Sequence, residues 1–268
     1  MLPSPCFIIA DAHLGFGPPA AERRMLDFLH WLPGHAACLV INGDLFEFWF
    51  EWRHVVPRRA VRTLAALAEV RERGVPVVML AGNHDCWGGD VLREDYGIDF
   101  RTDALTGPVA GWAARVEHGD GVREVEDRKY RRLRTVLRHP WAIRAFRLLH
   151  PDLGSRLAYG SSHASRSYGA HDEGAGMREV AARVLGATPG LELLVYGHSH
   201  VAALERMPGG GVFANPGPWL DAPTYLDVRP GRIALKRFDG SAEGANLHVL
   251  DRVPEEPLPE REELPRIV

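Results

Sequence analysis

The sequence predicts an α/β fold with a parallel sheet, because three short apolar runs alternate with two segments of helical periodicity. The apolar runs are residues 7–10, 39–42 and 75–80, and residues 20–32 and 57–74 between them space their apolar side chains as amphipathic helices do. This β-α-β-α-β order implies parallel strands joined by right-handed crossovers. Polar residues follow each apolar run at once, which places candidate functional groups at the carboxyl ends of the strands.

Two further strand-like runs, residues 112–117 and 193–196, each lead into a histidine in the second half of the chain. Segments at 128–149 and about 177–185 have helical spacing. Four more strand-like runs follow with few helical signals between them: residues 202–207, 212–214, 225–228 and 232–238. We expect these four runs to form an antiparallel second sheet.

Length and composition favour one domain with an insertion over two equal domains, because 268 residues can enclose a single large core. We expect this domain to span residues 1–250, with a helical insertion at 123–172 and an acidic, proline-rich tail at 251–268. The net charge of -3 argues against a general nucleic-acid binder, and no feature indicates an obligate protein partner.

The three cysteines, Cys6, Cys38 and Cys86, lack the spacing of a metal site. Cys6 and Cys38 fall in predicted strands, where buried thiols are typical of a protein in a reducing cytoplasm. The first ten residues have neither the positive segment nor the apolar core of a signal peptide, and no run reaches the ~18 apolar residues of a membrane span. These features predict a cytoplasmic protein.

Metal-binding residue types follow the predicted strands in five short motifs: Asp11-Ala12-His13, Gly43-Asp44, Gly82-Asn83-His84-Asp85, His118-Gly119-Asp120 and Gly197-His198-Ser199-His200. Any one alone has a simpler explanation, such as a turn-forming aspartate or a satisfied polar residue at a strand end. Together, carboxylate, amide and imidazole ligands suit a hard divalent ion such as Mn²⁺. We interpret Asp44 as a carboxylate shared by two ions. The candidate ligands are Asp11, His13, Asp44, Asn83, His118, His198 and His200.

In their order and composition these motifs resemble those of the calcineurin-like metallophosphoesterases over positions 11 to 200. The resemblance implies a four-layer αββα sandwich and a dinuclear-metal phosphoester or pyrophosphate hydrolase. It assigns one ion to Asp11, His13 and His200, and the other to Asn83, His118 and His198, with Asp44 between them. A binding scaffold without catalysis is the alternative from another class, and intact residues at all seven ligand positions argue against it.

His84 and Asp85 are the candidate catalytic residues beside the metal ligands. His84 follows the ligand Asn83 without a required ligand role, so it can face the phosphate as an electrostatic clamp or proton donor. We expect Asp85 to fix the tautomer of His84 by a hydrogen bond. The alternative is that His84 is only a neighbour of the metals.

The run Leu45-Phe46-Glu47-Phe48-Trp49 after Asp44 resembles the UDP-2,3-diacylglucosamine hydrolases of lipid A biosynthesis. The resemblance implies hydrolysis of that lipid-linked nucleotide at its α-phosphorus to UMP and 2,3-diacylglucosamine 1-phosphate, with substrate contacts at Asp120, Ser162 and Arg166. This chain has His84 where that subfamily carries arginine. Another nucleotide or lipid phosphoester therefore stays open as the substrate.

The predicted insertion is strongly basic, with nine Lys or Arg against three Asp or Glu between residues 123 and 147. It could be a packed helical pair with a solvated basic face. It could instead be a lid, with Trp141 and Phe146 lining an acyl groove and basic residues meeting nucleotide phosphates or the inner membrane surface. The lid interpretation predicts peripheral membrane contact. Trp49, Phe50 and Trp52 would continue the apolar wall, with core packing as their alternative.

Overall fold

A computed structural model of the protein describes residues 1–15, 17–167, 174–241 and 243–252, without the side chains of residues 161–167. Within these residues the strands are β1 (Cys6–Ile9), β2 (Cys38–Asn42), β3 (Val77–Leu80), β4 (Asp99–Arg101), β5 (Leu105–Val109), β6 (Trp112–Val116), β7 (Leu193–Val195), β8 (Ala203–Arg206), β9 (Val212–Asn215), β10 (Thr224–Arg229), β11 (Arg232–Arg237) and β12 (Ala245–Asp251). The α-helices are α1 (Pro19–Trp31), α2 (Val61–Glu72), α3 (Arg128–Leu137), α4 (Pro140–Arg147), α5 (Pro151–Ser167) and α6 (Ala175–Ala187).

The strands form a seven-stranded sheet of order β12-β11-β10-β1-β2-β3-β4 and a five-stranded sheet of order β5-β6-β7-β9-β8. Strands β1 to β4 pair in parallel, as the alternation of apolar runs and helices predicts. Helices α1 and α2 cover the outer face of the larger sheet, and α6 covers the outer face of the smaller one. The predicted four-layer αββα sandwich is therefore confirmed.

Side chains of the central strands alternate between two apolar layers because successive residues of a strand point to opposite faces. Phe7 and Ile9 of β1 pack in the layer with α1 and α2. Ile8 of β1 lies between the two sheets, together with Val116 and Val195 of the smaller sheet. Burial on both faces explains why these strands are continuously apolar in sequence.

The prediction of one antiparallel second sheet in the C-terminal part was wrong. Strand β10 pairs antiparallel with β1, so β10, β11 and β12 extend the first sheet. The smaller sheet is mixed, because β7 pairs in parallel with β6 and with β9. The sequence of a strand shows that one face is apolar, but it does not show which sheet the strand joins. The four strands were therefore predicted correctly and their pairing was not.

The predicted insertion contains three helices, and the predicted helix at 128–149 is two. His139 has an extended backbone and Pro140 begins α4, because proline fits the first turn of a helix but not its interior. The end of the predicted insertion at residues 168–172 lies outside the described residues. The predicted tail begins at Asp251, which is the last residue of β12, and residues 253–268 lie outside the described part.

Candidate metal centre

The seven predicted ligands lie in the loops that follow β1, β2, β3, β6 and β7. Backbone hydrogen bonds hold these loops together, from Asp11 N to the Gly43 carbonyl at 3.2 Å and from Gly197 N to the His118 carbonyl at 2.9 Å. The carboxyl ends of parallel strands in both sheets meet at one edge of the sandwich, which brings the side chains together.

Distances between the side chains divide them into two groups around Asp44. The ligand atoms of Asp11, His13 and His200 all lie within 4.8 Å of one another, as do those of Asp44, His118 and His198. Asp44 Oδ2 lies 3.2 Å from His118 Nε2 and 3.8 Å from His13 Nε2, and so faces both groups. This arrangement is the one expected for a carboxylate between two ions.

The remaining predicted ligand, Asn83, joins the second group. Its Oδ1 lies 3.2 Å from His118 Nε2. The structure therefore brings all seven predicted ligand residues to one place.

Five of the seven candidate ligands have a positive φ, a backbone region that side chains other than glycine rarely adopt. They are Asp11 (53°), His13 (44°), Asp44 (53°), His198 (60°) and His200 (55°). Such conformations cost on the order of 1–3 kcal/mol each and persist where the surroundings impose them, often at functional sites. Close packing also requires Gly82, where a Cβ would overlap the Asp44 carboxylate. The fold thus accepts local strain to direct these side chains inward.

Hydrogen bonds to the far side of the imidazoles fix which nitrogen faces the centre. His118 Nδ1 lies 2.9 Å from the Asn42 carbonyl, and since a carbonyl can only accept, Nδ1 donates and Nε2 is left to bind. His13 Nδ1 lies 3.0 Å from Glu47 Oε2, which orients that ring in the same way. Partners of this kind raise the affinity of histidine for metal. Sequence reasoning assigned no role to Glu47, although a glutamate within an apolar run, three residues after the shared aspartate, is itself a signal.

The donor set fits divalent metal ions. His13 Nε2 lies 3.1 Å from His200 Nε2. Two imidazole nitrogens at this distance repel each other if both present lone pairs, so a proton or a metal cation must lie between them. Asp11 and Asp44 are fully buried beside these rings, where carboxylates need positive partners. The donors are oxygen and nitrogen, as hard or borderline divalent ions prefer.

The charges of the centre show how strongly its buried carboxylates depend on positive partners. Burial opposes ionisation of Asp44, but His118 and His84 nevertheless hold its pKa well below the usual range. Burial likewise disfavours the charged form of His118, but Asp44 raises the pKa of His118 well above its ordinary value. For His198, burial and then the positive charge of His118 lower the pKa to about 4. His198 is therefore neutral near pH 7, the form in which imidazole binds metal.

His84 faces the centre, but the predicted role of Asp85 towards it was wrong. His84 Nε2 lies 4.0 Å from Asp44 Oδ2, while its Nδ1 lies 3.0 Å from the Glu47 carbonyl, which fixes its tautomer. The buried Asp85 carboxylate accepts hydrogen bonds from backbone N–H groups of the two metal-binding loops: Gly82 (2.8 Å), Asp44 (3.2 Å), Leu45 (2.8 Å) and Phe46 (3.4 Å). Asp85 therefore joins these loops and does not contact the reacting groups.

Asp120 also differs from its predicted role as a substrate contact. Its side chain is 5% exposed and accepts hydrogen bonds from Tyr130 Oη at 2.6 Å and Arg138 Nη2 at 3.2 Å. Arg134 Nη1 donates to the Asp120 carbonyl at 2.6 Å. Asp120 thus holds helix α3 against the metal-binding loops. Residues 130, 134 and 138 recur every four positions, so helical spacing could have identified this face.

The two aromatic residues predicted to line an acyl groove lie in different environments. Phe146 belongs to a cluster, here called the aromatic wall, in which its ring lies 4.8 Å from Phe50 and 6.1 Å from Trp52. Trp141 is 70% exposed, and Arg144 lies over its ring at 5.3 Å, so Trp141 lies outside the aromatic wall. The predicted contacts of Ser162 and Arg166 fall on side chains outside the described part of the chain.

Comparison with known proteins agrees with the family that the sequence motifs resemble. Residues 5–202 match the family described as calcineurin-like phosphoesterase. The UDP-2,3-diacylglucosamine hydrolase of Porphyromonas gingivalis is 35% identical over 170 residues, which are 62% of this chain and 65% of that protein. The enzyme of the same name from Xanthomonas campestris pv. campestris is 31% identical over 246 residues, 86% of this chain and 97% of that protein.

Among solved structures, a dimetal phosphatase from Danio rerio aligns with 92% of this chain and 98% of its own, at 14% identity and a TM-score of 0.45. The family match covers every predicted metal ligand and the residues that orient them. The chain belongs to the calcineurin-like phosphoesterase family and is a metal-dependent phosphoester hydrolase.

Proposed function

We propose that this protein hydrolyses the pyrophosphate of UDP-2,3-diacylglucosamine at the α-phosphorus, giving UMP and 2,3-diacylglucosamine 1-phosphate for lipid A biosynthesis. The observation that carries the proposal is that Arg138, at the end of α3, donates to the Gly82 carbonyl, and that Phe146 of α4 packs in the aromatic wall, whose other rings follow Asp44 in the chain. A substrate with charged phosphates and long acyl chains needs both. The names of the related proteins support the same substrate.

In this proposal the seven ligand residues hold two divalent ions, which we propose to be Mn²⁺. Bound there, such ions lower the pKa of water to supply a nucleophile and neutralise charge on the phosphate. Asp11, His13 and His200 would hold one ion, Asn83, His118 and His198 the other, and Asp44 both.

His84 would act on the phosphate itself. Because its Nδ1 donates to the Glu47 carbonyl, its Nε2 is the atom that faces the centre, 4.0 Å from Asp44 Oδ2. When protonated, Nε2 can donate a hydrogen bond to a phosphate oxygen, or a proton to the leaving oxygen. The Glu47 carbonyl and the loop tied by Asp85 keep the ring in this orientation.

The direct test of the function is turnover of UDP-2,3-diacylglucosamine with Mn²⁺, with the products identified by mass. We expect UMP and 2,3-diacylglucosamine 1-phosphate in equal amounts. A second candidate, hydrolysis of a different nucleotide or lipid phosphoester, is favoured by His84 standing where the resembling subfamily has arginine. Turnover of bis(p-nitrophenyl) phosphate without turnover of the diacyl substrate would select the second candidate.

The aromatic wall is expected to hold acyl chains. Each acyl methylene that is buried there should contribute about 0.8 kcal/mol to binding until the groove is filled. Replacing Phe146 by serine removes apolar surface from the aromatic wall. We expect kcat/KM for the diacyl substrate to fall and its dependence on acyl length to weaken. The measurement compares substrates of different acyl length and bis(p-nitrophenyl) phosphate, whose hydrolysis should be unchanged.

Val61→Ser is the matched control, since Val61 is an exposed apolar residue on α2. It should leave both activities unchanged. If wild-type kcat/KM did not depend on acyl length, the aromatic wall would be core packing and not a substrate groove.

We also propose peripheral contact between the insertion and an anionic membrane surface. Helices α3 to α5 expose large apolar side chains among many arginines: Leu133, Val136, Trp141, Leu148, Leu153 and Leu157. Such a face suits the boundary between lipid headgroups and acyl chains. Among the described residues, no helix is long and apolar enough to cross a bilayer.

Membrane contact predicts salt-sensitive cosedimentation with phosphatidylglycerol vesicles. Trp141→Glu should reduce the bound fraction, since it replaces an exposed aromatic ring by a charge that the anionic surface repels. Bis(p-nitrophenyl) phosphate hydrolysis serves as the control for folding. Equal binding of wild type and Trp141→Glu, or no binding by either, would contradict the proposal.

A further inference from the structure

Four arginines of the insertion surround a cavity beside the metal-binding loops. The cavity has a volume of about 740 Å³, and Arg131, Arg134, Arg138 and Arg147 line it together with residues of the 86–90 loop. A concentration of guanidinium groups in one cavity is typical of sites that bind phosphate.

The acidic residues that line the same cavity do not cancel this charge. Glu51 is buried, and its carboxylate accepts from the backbone N–H groups of Gly89 at 2.7 Å and Val91 at 3.2 Å. Asp90 lies 3.7 Å from Arg93, and Asp103 is exposed at the surface.

Asp120 lies 3.4 Å from Arg134 Nη1 and 3.2 Å from Arg138 Nη2 and offsets part of the positive charge, whereas Arg131 and Arg147 form no ion pair with the described residues. The cavity therefore keeps guanidinium donors for an anion.

Arg138 connects this cavity to the metal centre. Its Nη2 donates to the Gly82 carbonyl at 3.2 Å, and Gly82 packs directly against the Asp44 carboxylate. A guanidinium group carries five N–H donors, so Arg138 can hold the loop and still donate to a ligand. One side chain thus lies against a metal-binding loop and also lines the cavity.

A pyrophosphate substrate needs a second anionic site of this kind. The phosphorus that is attacked must lie at the metal centre, and the other phosphate departs as a phosphomonoester with additional negative charge. Outside the metal ions, that charge requires fixed cations, and a positioned guanidinium group provides two parallel N–H donors.

We propose that the arginine-lined cavity binds the leaving phosphate of a pyrophosphate substrate, with Arg138 contacting it and Asp120 positioning Arg138. The proposal rests on the proposed function for its choice of pyrophosphate chemistry. Asp120 accepts from Arg138 Nη2 and from Tyr130 Oη, which fixes the guanidinium group beside the loop. Arg138, the residue that caps the C-terminus of α3, thereby confers a preference for pyrophosphates over simple diesters.

The test compares two competitive inhibitors of bis(p-nitrophenyl) phosphate hydrolysis. UDP-glucose has a second phosphate, and the methyl ester of UMP has only one. Arg138→Ala should raise the inhibition constant of UDP-glucose on the order of 10- to 100-fold, the effect of removing hydrogen bonds between charged groups. The inhibition constant of the methyl ester, which lacks the second phosphate, should change much less, so the ratio of the two inhibition constants is the readout.

Arg132→Ala is the matched control. Arg132 is an exposed arginine on the same helix that does not line the cavity, so both inhibition constants should stay at their wild-type values. Asp120→Asn should shift the UDP-glucose constant in the same direction as Arg138→Ala, and adding Asp120→Asn to Arg138→Ala should cause little further change. If Arg138→Ala does not fold, Arg138→Gln replaces it.

Two results would overturn the proposal: an unchanged inhibition constant for UDP-glucose in the Arg138 variant, or wild-type protein that binds UDP-glucose no more tightly than the methyl ester. An equal rise in both inhibition constants would also overturn it, since Arg138 would then serve only the structure of the metal-binding loops. Failure to turn over UDP-2,3-diacylglucosamine with the predicted inhibition pattern intact would refute the proposed substrate and leave the phosphate site standing.

Discussion

Replacing Asp44 by alanine is expected to reduce turnover of bis(p-nitrophenyl) phosphate by several orders of magnitude and to empty at least one metal site. Asp44 is the carboxylate that faces both groups of ligands, with its Oδ2 3.2 Å from His118 Nε2 and 3.8 Å from His13 Nε2. The substitution removes the only predicted ligand that the two ions share. The measurement combines kcat with Mn²⁺ and metal content by mass spectrometry.

Asp27→Ala provides the matched control, because Asp27 is an exposed aspartate on α1. It should retain wild-type activity and metal content. Near-normal turnover by Asp44→Ala with two ions still bound would show that Asp44 does not bridge them.

Replacing His84 by alanine is expected to keep both metal ions and to lower kcat on the order of 10²- to 10⁴-fold, the range for a positioned proton donor or charge stabiliser. His84 is held by the Glu47 carbonyl with its Nε2 directed at the centre, 4.0 Å from Asp44 Oδ2. The loss should therefore arise after substrate binding. Steady-state kinetics and metal content measure the two effects separately.

His30→Ala controls for the loss of an imidazole, since His30 lies at the exposed end of α1. His84 also groups with His13 and Asp44 at metal-binding distance. If His84→Ala loses an ion together with its activity, His84 is a ligand and the assignment of Asn83 must be revised.

The metal ligands could be predicted from the sequence because each stands directly after an apolar run. A buried strand fixes where its last residue emerges, so strands such as β1 and β2 deliver Asp11 and Asp44 to the same edge. The local sequence therefore contained both the residue type and its place in the fold.

Contacts between distant segments could not be predicted in this way. Asp85 follows His84 in sequence, yet its carboxylate accepts hydrogen bonds from backbone N–H groups of the loop after β2. Those partners are set by how the folded sheet brings the two loops together, which the local sequence does not show. The same holds for Asp120, whose partners Tyr130 and Arg138 lie on a helix that only the tertiary structure places over it.

The aromatic wall was partly predictable. Ile143 and Phe146 lie three positions apart on α4 and both pack against the aromatic wall, whereas Trp141 falls on another face of the helix and is exposed. Helical spacing alone could have separated Phe146 from Trp141. An apolar residue type by itself does not distinguish a buried face from one exposed to solvent or membrane.

The proposed reaction is attack of water on the α-phosphorus of a lipid-linked nucleotide pyrophosphate. Hydrolysis of UDP-2,3-diacylglucosamine in H₂¹⁸O with Mn²⁺, followed by mass analysis of both products, shows which phosphorus is attacked. We expect one ¹⁸O atom in UMP and none in 2,3-diacylglucosamine 1-phosphate. Label in the sugar phosphate, or no hydrolysis by a protein that holds two metal ions and cleaves bis(p-nitrophenyl) phosphate, would contradict it.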